Sequence, residues 1–194
     1  GPLLLRFGDK GFDRRVPAES LHVFASNYRM SEPQAAVAAA QLARLEGIAS
    51  KRARLGSLLS EKIGAIPGIL PQEVHPEDRC VYWCYSFRVK PAAFRCTRDE
   101  FAKALTAEGL GAHPGYWRGP LYTEAVFRKH GFFAGRWPVK ELGLTNVDYG
   151  KYSCPRAEEI HATSIILPFH ECMDEEYILA VAAGVEKVAR HYAA

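Results

Sequence analysis

The chain has 194 residues, of which 48% are hydrophobic and 24% are charged, with a net charge of +3. This composition is typical of a folded globular domain and excludes a collagen, a long coiled coil and a disordered tail. The basic residues are few and scattered, so we expect no nucleic-acid partner.

The five cysteines form no CxxC pair and have no matching histidine pair downstream. We therefore expect no metal site, and a reduced, cytoplasmic location fits better than a disulfide-linked scaffold. No segment reaches the roughly 18 consecutive apolar residues of a membrane helix, so no membrane partner is expected. The starting Gly1-Pro2 is compatible with native sequence or with a remnant of tag cleavage.

Residues 1–30 carry turn signals without a clear period, and a long helix follows them. Ser31 and Gln34 have the spacing of a capping box, and apolar residues then recur at helical spacing to Ile63. Gly64 ends the predicted helix, and Gly47 and Gly56 are points where it could bend or break.

A short basic run lies on this predicted helix, at Lys51, Arg52 and Arg54. Charge runs of this kind usually form a solvated helix face, and that is our interpretation here.

A strand is predicted next, because apolar and less apolar residues alternate from Val81 to Val89 and place Trp83 on the apolar face. Thr97 and Glu100 form a second capping box, which opens a helix to about Glu108. The segment Leu110–Tyr116 is predicted as a further strand. Residues 117–150 are rich in glycine, proline and aromatic residues and read as a loop that covers a site or a partner surface.

The last elements are a short helix from Pro155 to about Ile160, a strand from Ser164 to Phe169, and a helix that Asp174 caps and that runs to about His191. The predicted fold class is α/β: a long connecting helix, then a small domain with a short, mostly antiparallel sheet covered by helices.

A search for catalytic motifs finds no nucleophile elbow, no phosphate-binding loop and no HExxH motif. His161 and His170 flank the last strand and could line a pocket, although surface histidines explain them equally simply. Glu158 and Glu159 lie in the first turn of a helix, where the helix dipole favours acidic side chains.

Residues 27–37, Asn-Tyr-Arg-Met-Ser-Glu-Pro-Gln-Ala-Ala-Val, resemble the segment that opens the long helix in the DegT/DnrJ/StrS aminotransferases. Three shorter stretches agree with that family: Phe-Gly-Asp-Lys-Gly at 7–11, Cys-Pro-Arg-Ala-Glu at 154–158, and the strand at 164–168. Gly-Pro-Leu-Tyr at 119–122 is similar to a loop of the branch that aminates keto-cyclitols or makes aminohydroxybenzoate.

The resemblance implies a pyridoxal-phosphate enzyme of fold type I that transfers an amino group from an amino acid to a keto-sugar or keto-cyclitol. In the family, the Schiff-base lysine and its partners precede the matched region, and none of the nine lysines here has that context. The chain therefore resembles a C-terminal portion: 1–30 from the end of the large domain, 31–64 the connecting helix, and 65–194 the small domain. Alone, it is expected to be inactive and to bind no cofactor covalently.

The resemblance also implies a homodimer in which Asn27 reaches the cofactor phosphate of the neighbouring subunit, with Arg29 as a second cofactor-binding residue. An amide and a guanidinium suit a phosphate, although both residues could simply organise the helix entry. The candidates for lining the substrate side are Tyr116, Tyr122, His161 and His170. The alternative function is a non-catalytic dimerisation or binding module derived from the same fold.

Overall fold

The structure is a computed structural model that describes residues 8–9, 25–116, 118–131 and 133–194. The chain divides into two compact units, Gly1–Gly47 and Ile48–Ala194. Most of the loops predicted for residues 1–30 lie outside the described residues.

The long helix α1 spans Glu32–Gly64, so its predicted start and end are confirmed. At its start, the backbone N–H and the hydroxyl of Ser31 donate to Oε1 of Gln34 at 3.0 and 2.9 Å. This is the half of the capping box in which the side chain reaches back. The helix continues without a break through Gly47 and Gly56.

Three short strands form one antiparallel sheet in the order β1 (Ile69–Pro71), β2 (Tyr85–Val89) and β3 (Ser164–Leu167). Phe87 of β2 pairs with Pro71 of β1 on one side and with Ile165 of β3 on the other. The α/β class with a short antiparallel sheet is thus confirmed. The sequence analysis missed β1 because three residues are too few to display an alternating pattern.

Helices from both ends of the second unit pack on this sheet. The three longer ones are α2 (Arg98–Ala107), α5 (Pro155–Thr163) and α6 (Glu175–Tyr192). The predicted caps are confirmed: Thr97 and Glu100 exchange both bonds of a capping box, and Asp174 accepts from the Tyr177 amide at 2.8 Å. These local bonds satisfy amides that the first helical turn leaves without partners.

One hydrophobic cluster joins these elements in the second unit. It contains Leu55, Leu59 and Ile63 of α1, together with the inward residues of the sheet, of α2 and of α6. Tyr85, Phe87 and Val89 alternate inward along β2, as their spacing predicts.

The strand predicted from Val81 is wrong over its first four residues. Tyr82, rather than Val81 or Trp83, is buried, because its backbone adopts a left-handed conformation with φ +48°. That turn reverses the alternation, so Trp83 faces outward with 71% of its surface exposed. The ladder begins only at Tyr85.

The strand predicted for Leu110–Tyr116 is also wrong. Only His113 pairs with the sheet, through two bonds of 2.9 Å with Ile166. Pro114 has no N–H to continue the ladder, and Gly111 and Gly115 have φ values of +61° and +75°.

The aromatic segment, residues 118–152, contains two short helices, α3 (Ala125–Arg128) and α4 (Pro138–Glu141), with two 3₁₀ turns at Leu121–Thr123 and Phe133–Gly135. A further 3₁₀ turn follows β2 at Pro91–Ala93. No helix in the described part of the chain combines the length and apolar character that a bilayer crossing needs.

Candidate functional site

In the first unit, Asn27 and Arg29 stand just before α1. Asn27 forms an isolated bridge with Asp9, and the Tyr28 amide donates to the Gly8 carbonyl at 3.0 Å. The Asn27 side-chain oxygen accepts from the Arg29 amide at 3.2 Å, and an Arg29 guanidinium nitrogen lies 3.8 Å from an Asp9 carboxylate oxygen. Asn27 and Arg29 are both exposed, so the amide and the guanidinium are accessible to an anion.

In the second unit, a cavity of about 630 Å³ opens at the end of β3. Its floor is formed by Ile166, Leu167, Pro168 and Phe169, and its walls by residues 83–84 and 113–116 together with Arg118. Trp83 and Tyr116 meet edge to face across it, with ring centroids 5.3 Å apart. Tyr116 is the predicted site residue that the structure places in this cavity.

Arg52 fixes the Trp83 wall from α1. Its guanidinium donates to the carbonyls of Val81, Tyr82 and Trp83, to that of Phe169 at 3.1 Å, and to the Glu171 carboxylate at 3.2 Å. Its own backbone N–H and then Arg52 hold the pKa of Glu171 below its ordinary value.

The interpretation of Lys51, Arg52 and Arg54 as a solvated face is therefore wrong for Arg52, whose side chain is 14% exposed. A guanidinium has five N–H donors in a planar fork, which suits several carbonyls at once. Arg54 fits the interpretation, because it is exposed and pairs with Glu175.

The opposite wall is fixed by glycine and by Arg98. A Cβ at Gly115 would lie 3.1 Å from an Arg98 guanidinium nitrogen, and the positive φ disfavours any side chain there. That same nitrogen donates to the carbonyls of His161 and Ser164 at 3.1 and 3.2 Å.

Tyr122 lies outside the cavity lining and fastens the aromatic segment to the start of α5. Its hydroxyl donates to Glu158 and accepts from the Cys154 amide at 3.0 Å. The hydrogen bond to Glu158 raises the pKa of Tyr122, and the bonds from Tyr122 and Ser153 lower the pKa of Glu158. This contact gives Glu158 a specific partner besides the helix dipole.

The two candidate histidines also lie outside the cavity lining. The His161 ring lies behind Gly115, 3.5 Å from where a Cβ would stand, and its carbonyl accepts from Arg98. His170 is exposed, and its carbonyl accepts from the Met173 amide at 3.2 Å. The structure thus groups Tyr116 with Trp83, a residue that the sequence analysis assigned to a strand face.

The part of the chain that the structure describes contains no group of three His, Cys, Asp or Glu residues arranged to hold a metal ion. The five cysteines are free thiols. Burial raises the pKa of the Cys84 thiol beside the cavity, so that it stays protonated at neutral pH.

Known proteins resemble the chain along almost all of its length. An L-glutamine:2-deoxy-scyllo-inosose aminotransferase of Streptoalloteichus tenebrarius is 29% identical over 180 residues, which cover 90% of this chain and 41% of that protein. A solved 3-amino-5-hydroxybenzoic acid synthase has a TM-score of 0.70 at 23% identity, covering 97% of this chain and 46% of its own.

The pyridoxal-phosphate form of a sugar aminotransferase from Streptococcus pneumoniae has a TM-score of 0.69 at 17% identity, covering 96% of this chain and 42% of its own. The chain spans less than half the length of each of these proteins. The sequence profile of one family, the DegT/DnrJ/EryC1/StrS aminotransferases, matches residues 4–186. The chain therefore belongs to the DegT/DnrJ/EryC1/StrS aminotransferase family.

Proposed function

We propose that this chain is the C-terminal part of a pyridoxal-phosphate-dependent aminotransferase that moves an amino group from an amino acid to a keto-sugar or keto-cyclitol. The observation that carries the proposal is the family match over residues 4–186, in a chain that spans 41% of a glutamine-dependent cyclitol aminotransferase. The free thiols suit the cytoplasm, where we place the protein.

The residues before α1 fit one part of such a cofactor, its phosphate. Asn27 and Arg29 offer an amide and a guanidinium on an exposed strand, and Asp9 offsets only part of the positive charge. In our proposal these residues hold the phosphate of the cofactor in the neighbouring subunit of a homodimer. When bound, pyridoxal phosphate supplies the electron sink that amino-group transfer needs.

On the substrate side, we assign contact with the keto ring to Tyr116, which lines the cavity at the end of β3. Tyr122 acts through its bonds to Glu158 and Cys154, which position the aromatic segment. We assign no substrate contact to His161 or His170, because neither side chain lines that cavity.

Borohydride reduction in the presence of pyridoxal phosphate tests the expected lack of a Schiff-base lysine. We expect intact-mass and peptide spectra of the 194-residue chain to show only scattered, substoichiometric labelling of its nine lysines. Stoichiometric labelling of a single lysine would overturn this part of the proposal.

The full polypeptide from the source gene tests the activity. We expect the reading frame upstream of Gly1 to encode the missing lysine region. The encoded protein, with pyridoxal phosphate, L-glutamine and 2-deoxy-scyllo-inosose or a keto-sugar, should yield an amine detectable by mass spectrometry. The Asn27→Ala variant should release cofactor more readily, and unchanged cofactor retention would contradict the assigned phosphate contact.

A second candidate function is a non-catalytic dimerisation or binding module. Val37, Leu42 and Leu45 on the first half of α1 are exposed, and apolar side chains of this kind favour a protein partner. Light scattering on the 194-residue chain separates the candidates, because a clean monomer that captures no partner counts against the binding module.

A further inference from the structure

The cavity at the end of β3 has two large aromatic rings that the chain leaves in contact with solvent. Trp83 is 71% exposed and Tyr116 is 56% exposed, although they touch each other edge to face. A ligand that covers both rings removes a large apolar area from water, which is worth about 25 cal/mol for each Å².

The backbone on both sides of this aromatic pair is fixed. Arg52 bonds the carbonyls of residues 81–83 on one side, and His113 exchanges two 2.9 Å bonds with Ile166 on the other. A ligand therefore meets preformed walls and does not have to order a loop, which lowers the entropic cost of binding.

The charged groups in the lining are basic. Arg118 and His113 line the cavity, and no Asp or Glu is among its described lining residues. The ion pairs between described residues do not include Arg118. A guanidinium in this position suits a carboxylate or a phosphate, which it can grip with two parallel hydrogen bonds.

We propose that this cavity binds a six-membered ring that carries an anionic substituent, with the ring against Trp83 and Tyr116 and the anion at Arg118. A cavity of about 630 Å³ is large enough for a substituted ring and lies within the size range of small-molecule sites. The inference rests on the proposed function in one respect, that the ring is the keto substrate. It narrows that substrate from neutral cyclitols to acidic or phosphorylated rings.

The test compares three probes on the 194-residue chain by isothermal titration calorimetry and saturation-transfer NMR. The probes are shikimate, a carboxylated ring; glucose 1-phosphate, a phosphorylated ring; and myo-inositol, a neutral ring. We expect at least one anionic ring to bind about tenfold or more tightly than myo-inositol, since charge-assisted hydrogen bonds contribute about 1.5–3 kcal/mol. Which of the two binds more tightly identifies the anionic group.

Two further results would overturn the proposal: equal or tighter binding of myo-inositol, or no binding of either anionic ring. Acetate serves as a control for the anion alone. Acetate binding as tight as that of shikimate would also overturn the proposal, because the aromatic wall would then contribute nothing.

Matched variants locate the contacts. Arg118→Gln should weaken the anionic rings about tenfold and leave myo-inositol unchanged. Arg128→Gln, an exposed arginine on α3 outside the cavity, should change neither. Trp83→Ala should weaken every ring, and circular dichroism will show that this exposed position tolerates the change. Equal losses in the two arginine variants would contradict a specific contact.

These outcomes are separable from failure of the proposed function. Stoichiometric borohydride labelling of a lysine would refute the proposed division of the enzyme and leave the ring selectivity intact. Absence of anion preference would refute the ring proposal, while amine formation by the full polypeptide would still support the aminotransferase.

Discussion

Two regions of the second unit are stabilised in different ways. The sheet and its helices enclose one apolar cluster, in which Leu55, Tyr85, Phe101 and Val185 have no exposed surface. The aromatic segment 118–152 has no fully buried residue among those whose side chains the structure describes. It is organised by edge contacts between rings, such as Phe127 on Tyr149 and Tyr122 on Tyr152, each at 5.3 Å.

The difference separates a scaffold from a covering. Burial of many aliphatic side chains makes the first region cooperative, whereas the segment depends on a few contacts at its edges. Tyr122 is one such contact, since it joins the segment to α5 through Glu158 and Cys154. Substitutions in the scaffold should therefore alter global stability, and those in the segment should act locally.

The largest expected effect is on the scaffold, at Arg52. Arg52→Met leaves the carbonyls of residues 81–83 and Phe169 without a donor and should lower the free energy of unfolding by about 2–4 kcal/mol. The matched change Arg54→Met removes only an exposed ion pair with Glu175 and should cost about 0–1 kcal/mol. Urea denaturation followed by circular dichroism measures both, and equal losses would contradict the role given to Arg52.

Two glycines of α1 give the next contrast. A Cβ at Gly56 would lie 2.3–2.7 Å from ring carbons of Tyr82, so Gly56→Ala should destabilise the chain by about 1–3 kcal/mol. Gly47 has nothing within 4 Å of its added Cβ, so Gly47→Ala should stabilise by about 0.5–1 kcal/mol. Thermal unfolding reports both signs, and a stabilising Gly56→Ala would show that Tyr82 moves aside easily.

Tyr122→Phe tests the attachment of the aromatic segment. Loss of the hydroxyl removes the acceptor of the Cys154 amide, so this amide should exchange with solvent about tenfold faster while amides of β2 are unaffected. Tyr177→Phe, on the exposed side of α6, is the control and should change neither rate. Unchanged exchange at Cys154 would argue that other contacts hold the segment.

The smallest effect is a local response to pH. Hydrogen bonds from Tyr122 and Ser153 lower the pKa of Glu158 in the folded chain, so this contact stabilises above the ordinary carboxyl pKa of about 4.3. The stabilisation is lost as the pH falls through the lower, folded pKa. The Cys154 amide resonance should follow this titration in NMR spectra, and Glu158→Gln should abolish it.

Much of the architecture follows from local sequence signals. Thr97 with Glu100, and Asp174 with the Tyr177 amide, place the starts of α2 and α6, because capping bonds form between residues three apart. The resemblance at residues 27–37 brought out Asn27 and Arg29, whose residue types alone do not separate a cofactor contact from a helix entry.

The cavity could not be predicted in the same way. Arg52 bonds carbonyls 29–31 residues away and the Phe169 carbonyl 117 residues away, distances over which no periodic pattern operates. The alternation from Val81 to Val89 placed Trp83 inside, and the left-handed turn at Tyr82 placed it outside.

The sequence by itself determined the helices, the alternation along β2, the family and the residues that precede α1, because each depends on neighbours in the chain or on a contiguous motif. The tertiary structure decided that Arg52 serves as an internal donor and that Trp83 meets Tyr116 beside Arg118. It also decided that Tyr122 fastens a loop. These roles depend on groups far apart in sequence, whose pairing is fixed only when the sheet and α1 pack together.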